Sequence, residues 1–247
     1  MLPTLSRNDV PHVDTDQMIS IDRMMAEAFN IQPIQMMENA GRGIAQLARL
    51  RFLGGDPRDK KILALSGNGG NGGDALVAAR MLANWGADVS VALSKPPEEI
   101  SGLTKQHLDA LCVMNIKGTD TTADLDSLKT QDFDLIIDGL IGFSLKGAPY
   151  GLTGDLITYA NTSGVPILAV DNPSGINSGD GALYQPSIKA AATLTLALPK
   201  TGLYDENVIP YVGELYLGGI SVPQALYDSL GLSVGPIFAE SDILQIV

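Results

Sequence analysis

Four stretches of the chain bring together residue types that can do chemistry. Ser66-Gly67-Asn68-Gly69-Gly70-Asn71-Gly72-Gly73-Asp74 is rich in glycine, and Asp138-Gly139-Leu140-Ile141-Gly142-Phe143-Ser144-Leu145-Lys146-Gly147 opens on a carboxylate. Asp171-Asn172-Pro173-Ser174-Gly175 and Pro199-Lys200-Thr201-Gly202 add a second carboxylate and an amine. Glycines leave backbone N–H groups open to a phosphate or carbonyl oxygen, and a helix that starts at such a loop adds positive potential. The plainer alternative is a tight turn that needs positive φ. Gly67, Gly69 and Gly72 satisfy the spacing of a dinucleotide-binding loop, but that pattern alone is a weak signal. The acid expected to bind a ribose is out of place, since Asp88 opens the next apolar run instead of closing it, which disfavours an NAD dehydrogenase. No Gly-Lys-Ser/Thr follows, so the loop is not a P-loop.

Asp138 and Asp171 each close an apolar run. A buried carboxylate there needs a cation, a lysine or backbone N–H groups, unless it simply caps the following loop. Lys200 stands in the same kind of position. It can orient a phosphate, balance Asp171, act as a tuned acid, or sit exposed in a loop. Asp74 is expected where a helix begins, and dipole stabilisation of about 0.3–1 kcal/mol would account for it without catalysis. Asn71 offers amide oxygen and nitrogen to a cation or ligand, or fills a turn position. The only histidines are His12 and His107. Neither lies near these stretches, which leaves no Ser-His-Asp arrangement, and His107 reads as a helix-face residue.

These residues must be positioned by regular elements. The first 50 or so residues read as two helices. Asp14 or Thr15 caps the first, with Met18, Ile21, Met24 and Met25 at helical spacing. The second runs from about Ile34 to Arg51 and ends at Gly54-Gly55. The methionines read as packing residues. From Lys61 onward apolar runs alternate with helical patterns. Strands are expected over 62–65, 89–93, 135–137, 165–170 and 191–198, and helices over 74–85, 100–114 and around 156–160. Loops are expected over 186–188 and 204–210, and short strands with a helix near 223–230 follow. Continuous apolar strands separated by helices predict an α/β fold, a doubly wound, mostly parallel sheet with helices on both faces. Ligands bind outside the carboxyl ends of such strands, so the four polar stretches are expected to form one rim.

Composition sets the outer bounds. The chain has 247 residues, 45% of them hydrophobic, enough for a full core. Lys and Arg number 16 against 28 Asp and Glu, a net charge of −12, which argues against a nucleic-acid-coating surface. The single Cys112 excludes an intrachain disulfide and a multi-cysteine metal site. No apolar stretch approaches the roughly 18 residues of a membrane span, and no targeting segment stands out, so a soluble cytoplasmic protein is expected.

Taken in order, Met36-Met37-Glu38-Asn39-Ala40-Gly41, the glycine loop through Val77, Asp138-Gly139-Leu140-Ile141-Gly142, Asp171-Asn172-Pro173-Ser174-Gly175 and Pro199-Lys200 resemble the NAD(P)H-hydrate epimerases, the YjeF N-terminal domain family. The resemblance spans roughly residues 14–202. It implies a Rossmann-like fold in a single domain over residues 1–247: a helical segment at about 14–52, an α/β core at about 60–202 and an extension at about 203–247. It implies a homodimer, and epimerisation of the R and S forms of hydrated NADH and NADPH, whose S form a partner dehydratase repairs. It implies potassium held by Asn71, Asp138 and Ser174, and a hydrated nucleotide lined by Gly70, Asn71, Gly72, Gly73 and Asp74, by Gly142, Phe143, Ser144, Leu145, Lys146, Gly147 and Ala148, and by Asp171. Asp171 and Lys200 resemble the catalytic pair. The sequence departs from the family where two consecutive asparagines become Gly70-Asn71, where a glycine becomes Ala75, and where Gly-Thr-Gly becomes Gly142-Phe143-Ser144. A non-catalytic nucleotide-binding or scaffold protein of the same fold is the alternative.

Overall fold

The computed structural model describes residues 2–143, 145 and 147–247. Asp14 caps the first helix, α1 (Thr15–Glu27): its carboxylate accepts from the Gln17 N–H, and the Gln17 side chain accepts from the Asp14 N–H. Such reciprocal caps fix the helix start. Met18, Ile21 and Met25 are buried along one stripe. Pro33 opens α2 (Pro33–Leu47) from its first turn, where its missing N–H costs nothing. The helix expected as far as Arg51 widens into a π turn at Ala48–Phe52, and Gly54 and Gly55, both with positive φ, end it.

The remaining elements, in chain order, begin with β1 (Thr4–Leu5), ahead of α1, and continue with β2 (Lys61–Ser66), α3 (Gly70–Asn84), β3 (Asp88–Leu93), α4 (Gly102–Val113) and α5 (Leu125–Lys129). Then come β4 (Leu135–Gly139), α6 (Gly151–Thr162), β5 (Ile167–Val170), β6 (Ala192–Leu196), α7 (Ile209–Val212), β7 (Glu214–Gly218), α8 (Gln224–Ser229) and β8 (Ile243–Ile246). The strands form one sheet in the order β1-β8-β7-β6-β5-β4-β2-β3. Every neighbouring pair is parallel except β7 with β8. The doubly wound, mostly parallel α/β fold is thus observed.

Alternate strand residues feed two cores. Ile62, Ala64, Ile137 and Val170 pack with α1, α2 and α3 on one face. Leu63, Leu65, Ile136 and Ala169 pack with α5 and α6 on the other. Burial on both faces explains why these strands read as unbroken apolar runs.

Three local expectations change. Helix α3 begins at Gly70, so Asp74 lies beyond the first turn and is no dipole cap. Residues 204–210 include the last residue of a 3₁₀ turn, Thr201–Tyr204, and the start of α7 as well as loop. The strand expected over 135–137 and ending in Asp138 runs on to Gly139, with Asp138 in register with Leu65 of β2 and Ala169 of β5.

The winding of the sheet creates the site. From β2 the chain turns outward to β3, then returns to the other side of β2 as β4. The carboxyl ends of β2 and β4 therefore flank a topological switch point, where open α/β sheets bind their ligands. The ends of β5 and β6 continue the same rim.

Candidate active site

The glycine loop after β2 is shaped by close approach. None of its five glycines has positive φ. A Cβ on Gly67 would collide with the Leu140 carbonyl oxygen, and one on Gly72 with the carbonyl oxygen of Gly67. Gly69 faces open space. Gly67 therefore lets the loop fold against the chain leaving β4, Gly72 lets it close on itself, and Gly69 leaves backbone uncovered just before α3. Ala75 faces Gly139: a Cβ there would lie 2.6 Å from that of Ala75, so the missing side chain of Gly139 makes room for it.

Asp138 is fully buried. It accepts from the Ser174 N–H at 2.8 Å and from the Ser174 hydroxyl at 2.7 Å, and more weakly from the Leu140 N–H at 3.3 Å. The Ser174 oxygen in turn accepts from the Ile141 N–H at 2.9 Å. Burial pushes the Asp138 carboxyl up to about 6, against the pull of its Ser174 hydrogen bonds. Among the described residues no basic side chain pairs with it. Asn71 donates its amide N–H to the Val170 carbonyl at 2.6 Å, which turns its oxygen toward Gly142, where a Cβ would meet it at 2.6 Å. Asn71, Asp138 and Ser174 thus gather where three strand ends meet.

Asp171 has a left-handed backbone, φ 63°, directly after β5. Such a conformation is uncommon outside glycine and asparagine and marks functional turns. Its carboxylate contacts the Lys200 ammonium and accepts from the Leu196 N–H at 3.0 Å. Lys200 also donates to the Leu196 carbonyl at 2.8 Å and to the Thr195 hydroxyl at 3.4 Å. Lys200 is only 1% exposed, so this is a buried ion pair and not a loop lysine. Val13 holds the Lys200 segment from outside: its N–H donates to the Pro199 carbonyl and its carbonyl accepts from the Thr201 N–H, each at 3.0 Å.

The pair forms part of the wall of a cavity of about 280 Å³, together with Asn71, Asp74, Phe143 and Asp22. Asp74 is buried, and its carboxyl is raised well above the usual range by desolvation and by the charges of Asp171 and Asp22. Asp22, on α1, is raised to about 6, chiefly by burial and against the attraction of Lys200. Met18, Met36 and Met37 also line the cavity, and Met18 and Met36 pack in the core as expected. Asp22 escaped the sequence reading, although a signal existed: it lies four residues after Met18, inside the apolar stripe of α1.

The loop after β4 separates this cavity from a second hollow of about 510 Å³, lined by Gly67, Asn68, Lys95, Leu145, Gly147 and Ala148. Of the expected lining residues, Phe143 faces the first cavity, Leu145, Gly147 and Ala148 the second, and Ser144 and Lys146 lie outside the described residues. Of the glycine loop, Gly70 lines the first cavity beside Asn71 and Asp74. His107 is a buried helix-face residue on α4, 3.9 Å from Glu38. No helix among the described residues is long and apolar enough to cross a membrane.

A mostly parallel α/β sheet with a glycine-rich loop and a charged cavity at its switch point defines a small-molecule site of the nucleotide-binding kind. Residues 33–202 match the family described as YjeF-related protein N-terminus, and the chain belongs to that family. It is 38% identical over 215 residues to an NAD(P)H-hydrate epimerase of Dehalogenimonas lykanthroporepellens, covering 87% of this chain and 84% of that relative. It is 35% identical over 219 residues to the bifunctional NAD(P)H-hydrate repair enzyme Nnr of Moorella thermoacetica, spanning 41% of that longer protein. The crystal structure of the yeast protein ynu0 superposes with a TM-score of 0.79 at 27% identity, covering 96% of this chain and all of that one. The curated relatives are thus isomerases and nucleotide-repair enzymes of the NAD(P)H hydrates.

Proposed function

We propose that the chain interconverts the R and S forms of hydrated NADH and NADPH, feeding a dehydratase that acts on the S form. The observation that carries this reading is the buried Asp171–Lys200 pair in the wall of a cavity at the switch point of a YjeF-family fold. The hydrated ring suits the 280 Å³ cavity, and the rest of the nucleotide suits the hollow across the loop after β4.

The C6 hydroxyl lies beside ring N1, whose lone pair expels it once the oxygen is protonated. An iminium ion forms, and water returns to the opposite face. Asp171 supplies negative charge toward the developing cation and a site for the proton of the incoming water. Lys200 fixes the orientation of that carboxylate. A positioned acid or base is worth about 10²–10⁴-fold, and fixed charge in a dry site adds more. Ring opening and reclosure at the same carbon would call on the same pair.

Asn71, Asp138 and Ser174 are the residues that would hold potassium. A fully buried carboxylate without a cationic partner, a free amide oxygen and a hydroxyl with a spare lone pair form an all-oxygen donor set. Hard cations favour such sets. No cluster of three His, Cys, Asp or Glu side chains suited to a transition metal occurs among the described residues. When bound, potassium would supply fixed positive charge that ties the three strand ends together.

The test is Asp171→Asn. R-hydrate epimer exchange should vanish while the fold, read by circular dichroism, is kept; retained exchange would remove Asp171 from the reaction.

A further inference from the structure

Epimerisation by departure and return of the hydroxyl requires proton transfer on both faces of the ring, and one carboxylate on one wall serves one face. Lys200 is poorly placed to be the second group. An ammonium has three N–H donors, and here Asp171, the Leu196 carbonyl and the Thr195 hydroxyl take all three. Two other titratable side chains line the cavity, Asp22 and Asp74. Asp74, on α3, is 6% exposed, and no hydrogen bond from its carboxyl occurs among the described residues. Asp22 comes from another element, the cavity-facing stripe of α1, and is only partly buried, so it can exchange its proton with solvent.

Accepting the epimerase reading, we propose that Asp22 is the second acid–base of the reaction, serving the ring face that Asp171 does not. The charged groups facing it are Lys200, Asp171 and Asp74, from the segment after β6, the turn after β5 and helix α3. Three carboxylates sharing one ammonium resist full ionisation, so a carboxylic acid is at hand in mildly acid to neutral solution. In one turn the Asp22 carboxyl gives its proton to the C6 oxygen. The C6–O bond breaks, the N1 lone pair forms the C6=N1 double bond, and water departs. A second water forms the new C6–O bond on the other face, its proton passes to Asp171, and the double-bond electrons return to N1. The opposite epimerisation runs with the two carboxyls exchanged, and water inside the shared cavity carries the proton back from Asp171 to Asp22 between turns.

The experiment compares the wild-type chain with Asp22→Asn and Asp22→Glu on pure R-hydrate. Chromatography follows appearance of the S form, calorimetry gives the Kd, and kcat is taken across pH 5–8. Asn should lower kcat by about 10²–10⁴-fold at unchanged Kd and abolish the alkaline fall of the profile, and Glu should restore part of the rate. If Asn does not fold, Glu carries the test, since the alkaline limb should move with the new carboxyl. Wild-type kcat in Asp22→Asn, an effect confined to KM, or an unmoved profile in Asp22→Glu would overturn the assignment. A wild-type chain that binds the R-hydrate without exchange would instead sink the epimerase reading beneath it, and the wild-type arm alone reports that.

Discussion

Lys200 and Asp171 are each nearly inaccessible to water, at 1% and 4% exposure, so removing either leaves the other buried without its partner. Removing one member of a buried pair costs about 3–5 kcal/mol, because the remaining charge stays desolvated. Lys200→Met should therefore destabilise the chain by about that much in urea unfolding. Adding Asp171→Asn should recover a large part of the loss, and strict additivity would mean the two side chains are not coupled. Asp22 gives the opposite sign. Its folded-state carboxyl is raised from 3.8 to about 6, so folding favours the protonated form. That preference is harmless in acid and becomes a penalty as pH climbs from near 4 to near 6. Asp22→Asn should thus gain melting temperature relative to wild type over that interval and hold the gain above it. A flat difference across pH would place Asp22 in ordinary solvent. In the sequence the pairing of Asp171 with Lys200 was one option among several. Only the fold decides it, since the partners lie 29 positions apart and meet because β5 and β6 are neighbours.

At the scale of elements, the glycine loop was conspicuous in the sequence, but its cause was not. The spacing suggested positive φ or ligand approach. The structure shows close backbone contact with the chain leaving β4, a long-range fact that no local pattern carries. This separates two substitutions that look alike on paper. Gly67→Ala drives a methyl into the Leu140 carbonyl and must part the loop from β4, with a loss of about 1–3 kcal/mol or more. Gly69→Ala meets nothing within 4 Å and should leave the denaturation midpoint nearly unchanged. Equal effects would show that the loop does not pack as described. Strands buried on both faces were legible because they read as apolar runs. The two-residue β1 was not, since its pairing partner β8 lies at the far end of the chain. Helix α1 was legible as a stripe, but Asp22 inside that stripe was not, because its role depends on Lys200 and Asp171 from distant parts of the chain.

For the molecule as a whole, the sheet order explains why distant segments act together. The ends of β2, β4, β5 and β6 are consecutive along one rim, and α1 and α2 close it from the side. A cation tying Asn71, Asp138 and Ser174 would stabilise the folded state alone, by linkage. Exchanging potassium for tetramethylammonium should lower the melting temperature by a few degrees, at about 2–4 °C per kcal/mol for a chain of this size, and slow exchange with it. Unchanged stability and rate would remove the cation from the account. The most direct test of the whole is to mix the purified chain with pure R-hydrate and an S-specific dehydratase and follow the return of NADH. The account predicts recovery of the entire R pool. Binding of the R-hydrate with no NADH formed would contradict it.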